Sequence, residues 1–345
     1  MSTGRVMTVR GPISARDLGI TLMHEHVFID LALLWDPPTS EWQEPLVDAE
    51  ITLANRGLLQ VGPYVSRRNL VLDDFGVAVA ELAPFRQLGG RSVVELTTTG
   101  IRPRPAKLRE VSEQTGLHVV AGCGYYTQRS HPPEVATVSE AELLERLLDE
   151  IANGLGGTDV RPGIIGEIGT SSPVHPDEAK VLRAAAAAQA KTGLAINVHI
   201  AIFRREALAA LDILEAAGAD LSRVVISHLD EQPDTAYHRA ILERGVYVEY
   251  DTFGSESYFD GDGSAEPSDR ERVDCLIELL DAGFGDRLLI SQDVCTKVQL
   301  LKYGGYGYGH ILRSIVPRLR RRGVDEATVR MLLVENPARV LATAS

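Results

Sequence analysis

The chain has 345 residues, is 44% hydrophobic and carries a formal net charge of −13, a composition that fits a folded globular protein and argues against a nucleic-acid partner, because an acidic surface repels anionic backbones. No apolar run approaches the ~18 residues that suggest a membrane span, and Met1 to Val6 lack the apolar core of a secretory leader. Three cysteines, at 123, 275 and 295, are too few and too scattered for a disulfide framework and suit a reducing, cytoplasmic setting.

In chain order, residues 4–18 read as an edge hairpin punctuated by Gly11-Pro12. Residues 19–24 are the first strand, ending in His24 with His26 one residue on. Residues 27–70 are irregular, and Asp36-Pro37-Pro38-Thr39-Ser40 is loop because proline lacks a donor. There Phe28, Trp35 and Trp42 either line a substrate mouth or cover the fold. A helix over 71–88 carries Phe75, Ala78, Leu82 and Phe85 at helical spacing. Strands then alternate with helices: strands at 91–97, 118–122, 163–168, 194–199, 223–228, 246–250 and 287–293, helices at 105–115, 137–154, 176–191, 204–217, 232–243 and 269–282. Residues 261–267 are a polar loop. After 302 come a glycine-rich loop, a helix over 310–321 and another over 325–333, closed by Asn336-Pro337.

Eight Val/Ile/Leu-rich strands with helical connections match a (β/α)8 TIM barrel in length and rhythm, so residues 1–345 are expected to form one barrel domain of the α/β class. A doubly wound sheet is the competing architecture, but it gathers ligands at one switch point. Here the polar residues that end strands are spread around the whole chain, as in a barrel whose active site lies at the C-terminal ends of its strands.

Those strand ends supply His24 with His26, Glu167, His199, His228 and Asp293. In a strand, residues i and i+2 face one side, so His24 and His26 converge. Four imidazoles and two carboxylates suit two divalent transition metals about 3.5–4 Å apart. Glu167 can bridge them, a water between them can lose its proton near neutral pH to become the nucleophile, and Asp293 can accept that proton. The loop Gly304-Gly305-Tyr306-Gly307-Tyr308-Gly309 lacks the spacing of a dinucleotide fingerprint and reads as a tight cover over the barrel mouth. His310, after it, reads as structural. No GxSxG or HExxH occurs, which leaves serine-hydrolase and zincin chemistry without support.

Several stretches resemble one family. They are Thr21-Leu22-Met23-His24-Glu25-His26, Thr97-Thr98-Thr99-Gly100, Gly163-Ile164-Ile165-Gly166-Glu167-Ile168-Gly169, Ser227-His228-Leu229-Asp230, and the tail from Asp293 through Lys302-Tyr303-Gly304-Gly305-Tyr306-Gly307-Tyr308. Together they are similar to the phosphotriesterase-like branch of the amidohydrolase superfamily, and most of all to the phosphotriesterase-related proteins. The resemblance implies that His24, His26 and Asp293 bind the more buried ion, that His199 and His228 bind the more exposed one, and that Glu167 bridges where the best-known phosphotriesterases use a carboxylated lysine. Zinc is the expected metal, with manganese, cobalt or iron as alternatives. The implied activity is hydrolysis of a small anionic N-acyl amide such as N-acetyltaurine. The alternative is a lactonase acting on sugar lactones, some phosphorylated; organophosphate triester hydrolysis and a non-catalytic ligand-binding barrel rank below both. Tyr125, Tyr126, Arg129, Lys297 and Lys302 are the expected substrate contacts, the basic ones suiting an anion. Family members are often homodimers, and the apolar and aromatic side chains of 28–64 are the expected interface.

Overall fold

The computed structural model describes residues 4–259 and 263–343. Eight parallel strands make one sheet in sequential order: β1 (Ile20–Glu25), β2 (Gly90–Glu95), β3 (His118–Cys123), β4 (Ile164–Gly169), β5 (Ile196–His199), β6 (Val224–Ile226), β7 (Tyr247–Tyr250) and β8 (Leu288–Ile290). The sheet closes between its first and last strands at their C-terminal ends. Asp293 N–H donates to the His24 carbonyl at 3.1 Å, and His26 N–H to the Val294 carbonyl at 3.3 Å. The Glu25 carboxylate reinforces the seam. It accepts from Ser291 Oγ at 2.8 Å and from the backbone N–H of Gln292 and Val294, both at 3.0 Å. The result is the expected (β/α)8 barrel.

Neighbouring residues on each strand divide between two apolar clusters, as a two-residue period requires. Met23, Val94, Val120, Val225 and Leu289 share a cluster with Val6, Leu18 and Leu341. Leu22, Val93, Val119, Val224 and Leu288 pack instead in the larger cluster with the surrounding helices. The inner cluster is therefore the barrel floor, closed from below by the N-terminal hairpin (Arg5–Thr8 with Gly11–Ser14) and the C-terminal helix. Strands β3 and β4 approach so closely that a methyl on Gly122 would lie 1.8 Å from the Gly166 carbonyl oxygen.

The outer layer contains α1 (Phe75–Gln87), α2 (Pro105–Thr115), α3 (Glu140–Asn153), α4 (Pro176–Thr192), α5 (Ala207–Ala216), α6 (Thr235–Leu242) and α7 (Asp269–Asp281). Their ends are marked by local chemistry: Ser139 and Ser268 form capping boxes with Glu142 and Glu271, and Gly116 and Gly193 close α2 and α4 in the left-handed conformation. The helix expected over 71–88 starts later, because Asp74 caps it and Val71–Leu72 pair with Ile29–Asp30. The irregular 27–70 region contains a short helix, Leu53–Leu59. Asn336-Pro337 does not end the tail helix as expected. Pro337 sits in the first turn of a further segment, Asn336–Leu341, where its missing N–H costs little. In the loop expected over 261–267, residues 261 and 262 lie outside the described residues, and Ser264–Ala265 pair with Tyr258–Phe259.

A buried cation joins this outer layer to the barrel mouth. Arg272 on α7 is fully buried. Its Nε lies 3.1 Å from Asp230 Oδ2, its Nη2 2.9 Å from Glu231 Oε1, and its Nη1 donates to the Ser255 carbonyl at 2.6 Å. Asp230 in turn accepts from the backbone N–H of Asp251 and Thr252. Removing one member of a buried ion network leaves uncompensated charge. Arg272→Ala is therefore expected to lower stability by about 3–5 kcal/mol, read as a fall in the urea midpoint.

Candidate metal centre

All six strand-end residues converge. Glu167, at the end of β4, stands in the middle. Its Oε2 lies 3.5 Å from His24 Nε2, 3.2 Å from His199 Nδ1 and 3.6 Å from His228 Nε2, and its Oε1 lies 3.3 Å from His26 Nε2. Asp293 Oδ1 is 3.2 Å from His26 Nε2 and 3.8 Å from His24 Nε2. Two groups of donors could thus each hold an ion, His24/His26/Asp293 and Glu167/His199/His228. Between them, His24 Nε2, Glu167 Oε2 and Asp293 Oδ1 are buried without a hydrogen-bond partner. Native interiors rarely leave such atoms unsatisfied, and imidazole nitrogen with carboxylate oxygen is a donor set for transition metals. The residues fit a two-metal centre.

Two backbone turns aim these side chains. His228 has φ 60° and Asp293 φ 46°, a left-handed region that non-glycine residues enter at a cost and that recurs at functional sites. Each is tied down: His228 N–H donates to Asp251 Oδ1 at 2.9 Å, and Asp293 N–H to the His24 carbonyl. The glycine-rich tail loop adds another tie, since the buried Tyr308 hydroxyl donates to the His26 carbonyl at 2.6 Å. His310 behind it is buried, 2.7 Å from Asp269, as a structural histidine should be.

The sequence reading missed the residues behind the imidazoles. Asp251, just past β7, places Oδ2 3.0 Å from His24 Nδ1 and Oδ1 3.1 Å from His228 Nδ1. One carboxylate thus holds the outward nitrogens of two histidines and leaves their Nε2 lone pairs facing the centre. These three residues also form a compact donor group, but their contacts are already at hydrogen-bond length. His26 is set through Thr97, whose hydroxyl lies 2.8 Å from Nδ1 and donates to Glu95 at 2.7 Å. Asp251 was findable: every other strand bearing a candidate ligand shows it at the strand end, and Asp251 ends β7 the same way.

The electrostatics are those of a concentrated negative site. Burial opposes charge on Glu167, yet His24, His199 and His228 hold its carboxyl well below the ordinary range. Burial likewise opposes charge on Asp251 and Asp293, and the neighbouring imidazoles lower both. Burial also disfavours protonated His26, but Asp293 and Glu167 lift it to about 9. Ionised carboxylates pulling protons onto imidazoles mark a place where cationic charge is stabilised.

A cavity of about 350 Å³ opens on His26, Glu167, His199, His228 and Asp293. Tyr126 lines it, with its hydroxyl 3.5 Å from His199 Nε2 and its phenol kept protonated by burial. Arg129 lines it too. Three other expected contacts do not. Tyr125 alternates with Tyr126, and its ring faces His131 in the helical layer, with Arg146 and Glu150 of α3 nearby. Lys297 lies outside the lining, its backbone N–H bonded to the Asn69 carbonyl. Lys302 is exposed above the Tyr303 ring. Phe28, Trp35 and Trp42 cover the fold instead of lining the mouth. Phe28 is buried in the larger core, Trp35 donates to the Val65 carbonyl, and Trp42 is exposed. Tyr64, Ile202 and Arg204, which sequence reasoning did not single out, line the cavity.

The description of the Phosphotriesterase family matches residues 4–341. The chain is 39% identical to a Xenopus tropicalis protein named N-acetyltaurine hydrolase, over 97% of each chain. Among solved structures, it resembles a resiniferatoxin-binding protein from Rhodobacter sphaeroides (41% identity, TM-score 0.96, covering 98% of this chain and 95% of that one). It also resembles a lactonase from Listeria monocytogenes (25% identity, TM-score 0.80, covering 99% and 100%). Sequence and fold, matched over almost the entire length, place the chain in the phosphotriesterase family.

Proposed function

We propose that the chain is a binuclear-metal-dependent hydrolase that cleaves a small anionic N-acyl amide of the N-acetyltaurine type. The observation that carries this reading is the convergence of six donor side chains around Glu167, beside a cavity whose wall carries arginine. The 39% identity to a protein named N-acetyltaurine hydrolase supports the amide. His24, His26 and Asp293 would hold one ion, His199 and His228 the other, and Glu167 both; zinc suits this donor set, as do manganese, cobalt and iron. Bound there, two divalent ions supply Lewis-acid polarisation of a carbonyl and acidification of a water.

The chain's own groups do the rest. Asp293, held ionised, takes the proton from the attacking water and returns it to the leaving amine nitrogen. Tyr126, held protonated, donates a hydrogen bond to the oxygen that gains charge. Arg129 attracts the anionic end of the substrate. A second reading, a lactonase, draws on the Listeria likeness, because the same machinery attacks an ester carbonyl.

Among the described residues no helix is long and apolar enough to cross a membrane, and the three cysteines are unpaired. We assign the chain to the cytoplasm on that chemistry. Leu53 is 76% exposed, with Leu58, Val61 and Trp42 also exposed in the same stretch. That apolar surface would be covered in a homodimer. Leu53→Glu is expected to leave a monomer in light scattering, and an unchanged mass would remove this face from the interface.

Metal-loaded protein is expected to release taurine from N-acetyltaurine and to leave a phosphorylated five-membered sugar lactone intact; the reverse outcome would make it a lactonase. Glu167→Gln should abolish turnover while the far-UV circular dichroism stays that of the parent. Asp251→Asn places an amide N–H where a histidine Nδ1–H needs an acceptor. It should weaken metal binding by roughly 10–100-fold in competitive chelator titration, and undiminished affinity would mean that Asp251 does not set the histidines.

A further inference from the structure

Arg204 brings a second guanidinium to the metal-side cavity. The cavity lining contains two Lys or Arg side chains among the described residues, Arg129 and Arg204. Arg129 is tied to the Leu33 carbonyl at 3.4 Å. Arg204 follows the β5 ligand strand by five residues, and among the described residues no carboxylate lies within ion-pairing distance of its guanidinium. Its neighbour behaves in the ordinary way: Arg205 pairs with Asp234 and stacks 4.8 Å over the Tyr237 ring.

The backbone explains how adjacent arginines part. Phe203 has φ 60°, a left-handed conformation that an aromatic residue adopts only when its surroundings impose it. Here the surroundings are aromatic: the Phe203 ring meets Phe259 edge to face at 5.6 Å, and Phe259 meets Tyr64 at 5.2 Å. This wall lines an outer chamber of about 490 Å³, which shares Arg204, Tyr64 and Ile202 with the metal-side cavity. Arg204 thus stands at the doorway, on the same short segment as His199.

We propose that Arg204 is the specificity-determining residue for the substrate's anionic end, forming with Arg129 a subsite for a small oxyanion, a sulfonate by preference. The proposal rests on the hydrolase reading above and names the group that selects its substrate. A planar guanidinium with no carboxylate partner among the described residues offers two parallel N–H donors to such an anion. Both arginines are solvent-exposed, so the two cations act together at the cavity rim and not through a dry pocket. Because the anion is held away from the carbonyl, the interaction is the same in ground and transition states, so its loss raises KM and spares kcat.

The test compares N-acetyltaurine with the neutral methyl sulfone of the same skeleton, using metal-loaded protein. Arg204→Gln is expected to raise KM for the sulfonate by about tenfold or more, with kcat within about twofold, and to leave the sulfone unaffected. Arg204→Lys should recover part of the loss, and Arg205→Gln should behave as the parent on both substrates. Equal losses on both amides, or no loss on either, would overturn the proposal. If the parent cleaves neither amide, the amide reading fails by itself. Calorimetric binding of ethanesulfonate then decides the subsite: binding that disappears in Arg204→Gln and persists in Arg205→Gln upholds it, and any other pattern refutes it.

Discussion

The site depends on the seam that closes the barrel. Strand β1 meets strand β8 where backbone hydrogen bonds join Asp293 to His24 and His26 to Val294, and the Glu25 carboxylate, lying between His24 and His26 in sequence, binds the backbone on both sides of Asp293. Buried backbone N–H groups must find partners. Here the partner is a side chain from the opposite end of the chain, so barrel closure and donor placement are one event. Three of the six proposed ligands exist as neighbours only because the seam holds.

From the seam the constraints spread outward through hydrogen bonds to imidazole. A histidine can offer a lone pair to a metal only if its other nitrogen carries the proton. Asp251 sets that state for His24 and His228, and Glu95 sets it for His26 through the Thr97 hydroxyl. Asp251 is itself positioned by Asp230, which is held by Arg272 on the outer helix α7. A continuous polar path therefore runs from the helical layer to the proposed metal ligands, and each link is buried where its electrostatics are strong.

Chemistry and selectivity are built from different parts of the barrel. The proposed ligands lie on strand ends, which eight-fold hydrogen bonding makes rigid. The groups facing the cavity lie on loops: Tyr64 in the long β1–β2 connection, Arg129 after β3 and Arg204 after β5. A rigid centre with replaceable loops is how one barrel supports amide, lactone and phosphoester chemistry in related proteins.

How much was legible follows the range of each interaction. The order of strands and helices, the barrel and the six converging donors could be read from the chain, because apolar periodicity and strand-end position are local properties that survive any packing. The same rule applied to β7 would have added Asp251. What lay beyond the sequence was side-chain direction outside the strands. Tyr125 and Tyr126 are adjacent and chemically alike, yet one faces α3 and the other the site, because the exact end of β3 sets the alternation. Lys297 and Lys302 follow Asp293 closely in sequence but lie outside the cavity lining, since short helical turns and the glycine-rich loop carry the chain away. Arg204 lines the cavity from a loop whose backbone turns left-handed at Phe203, where the ring packs on the distant Phe259. Local pattern was enough to determine the barrel and the converging strand-end donors; the tertiary structure decided which loop side chains line the cavity, because loop conformation is set by contacts between residues far apart in the chain.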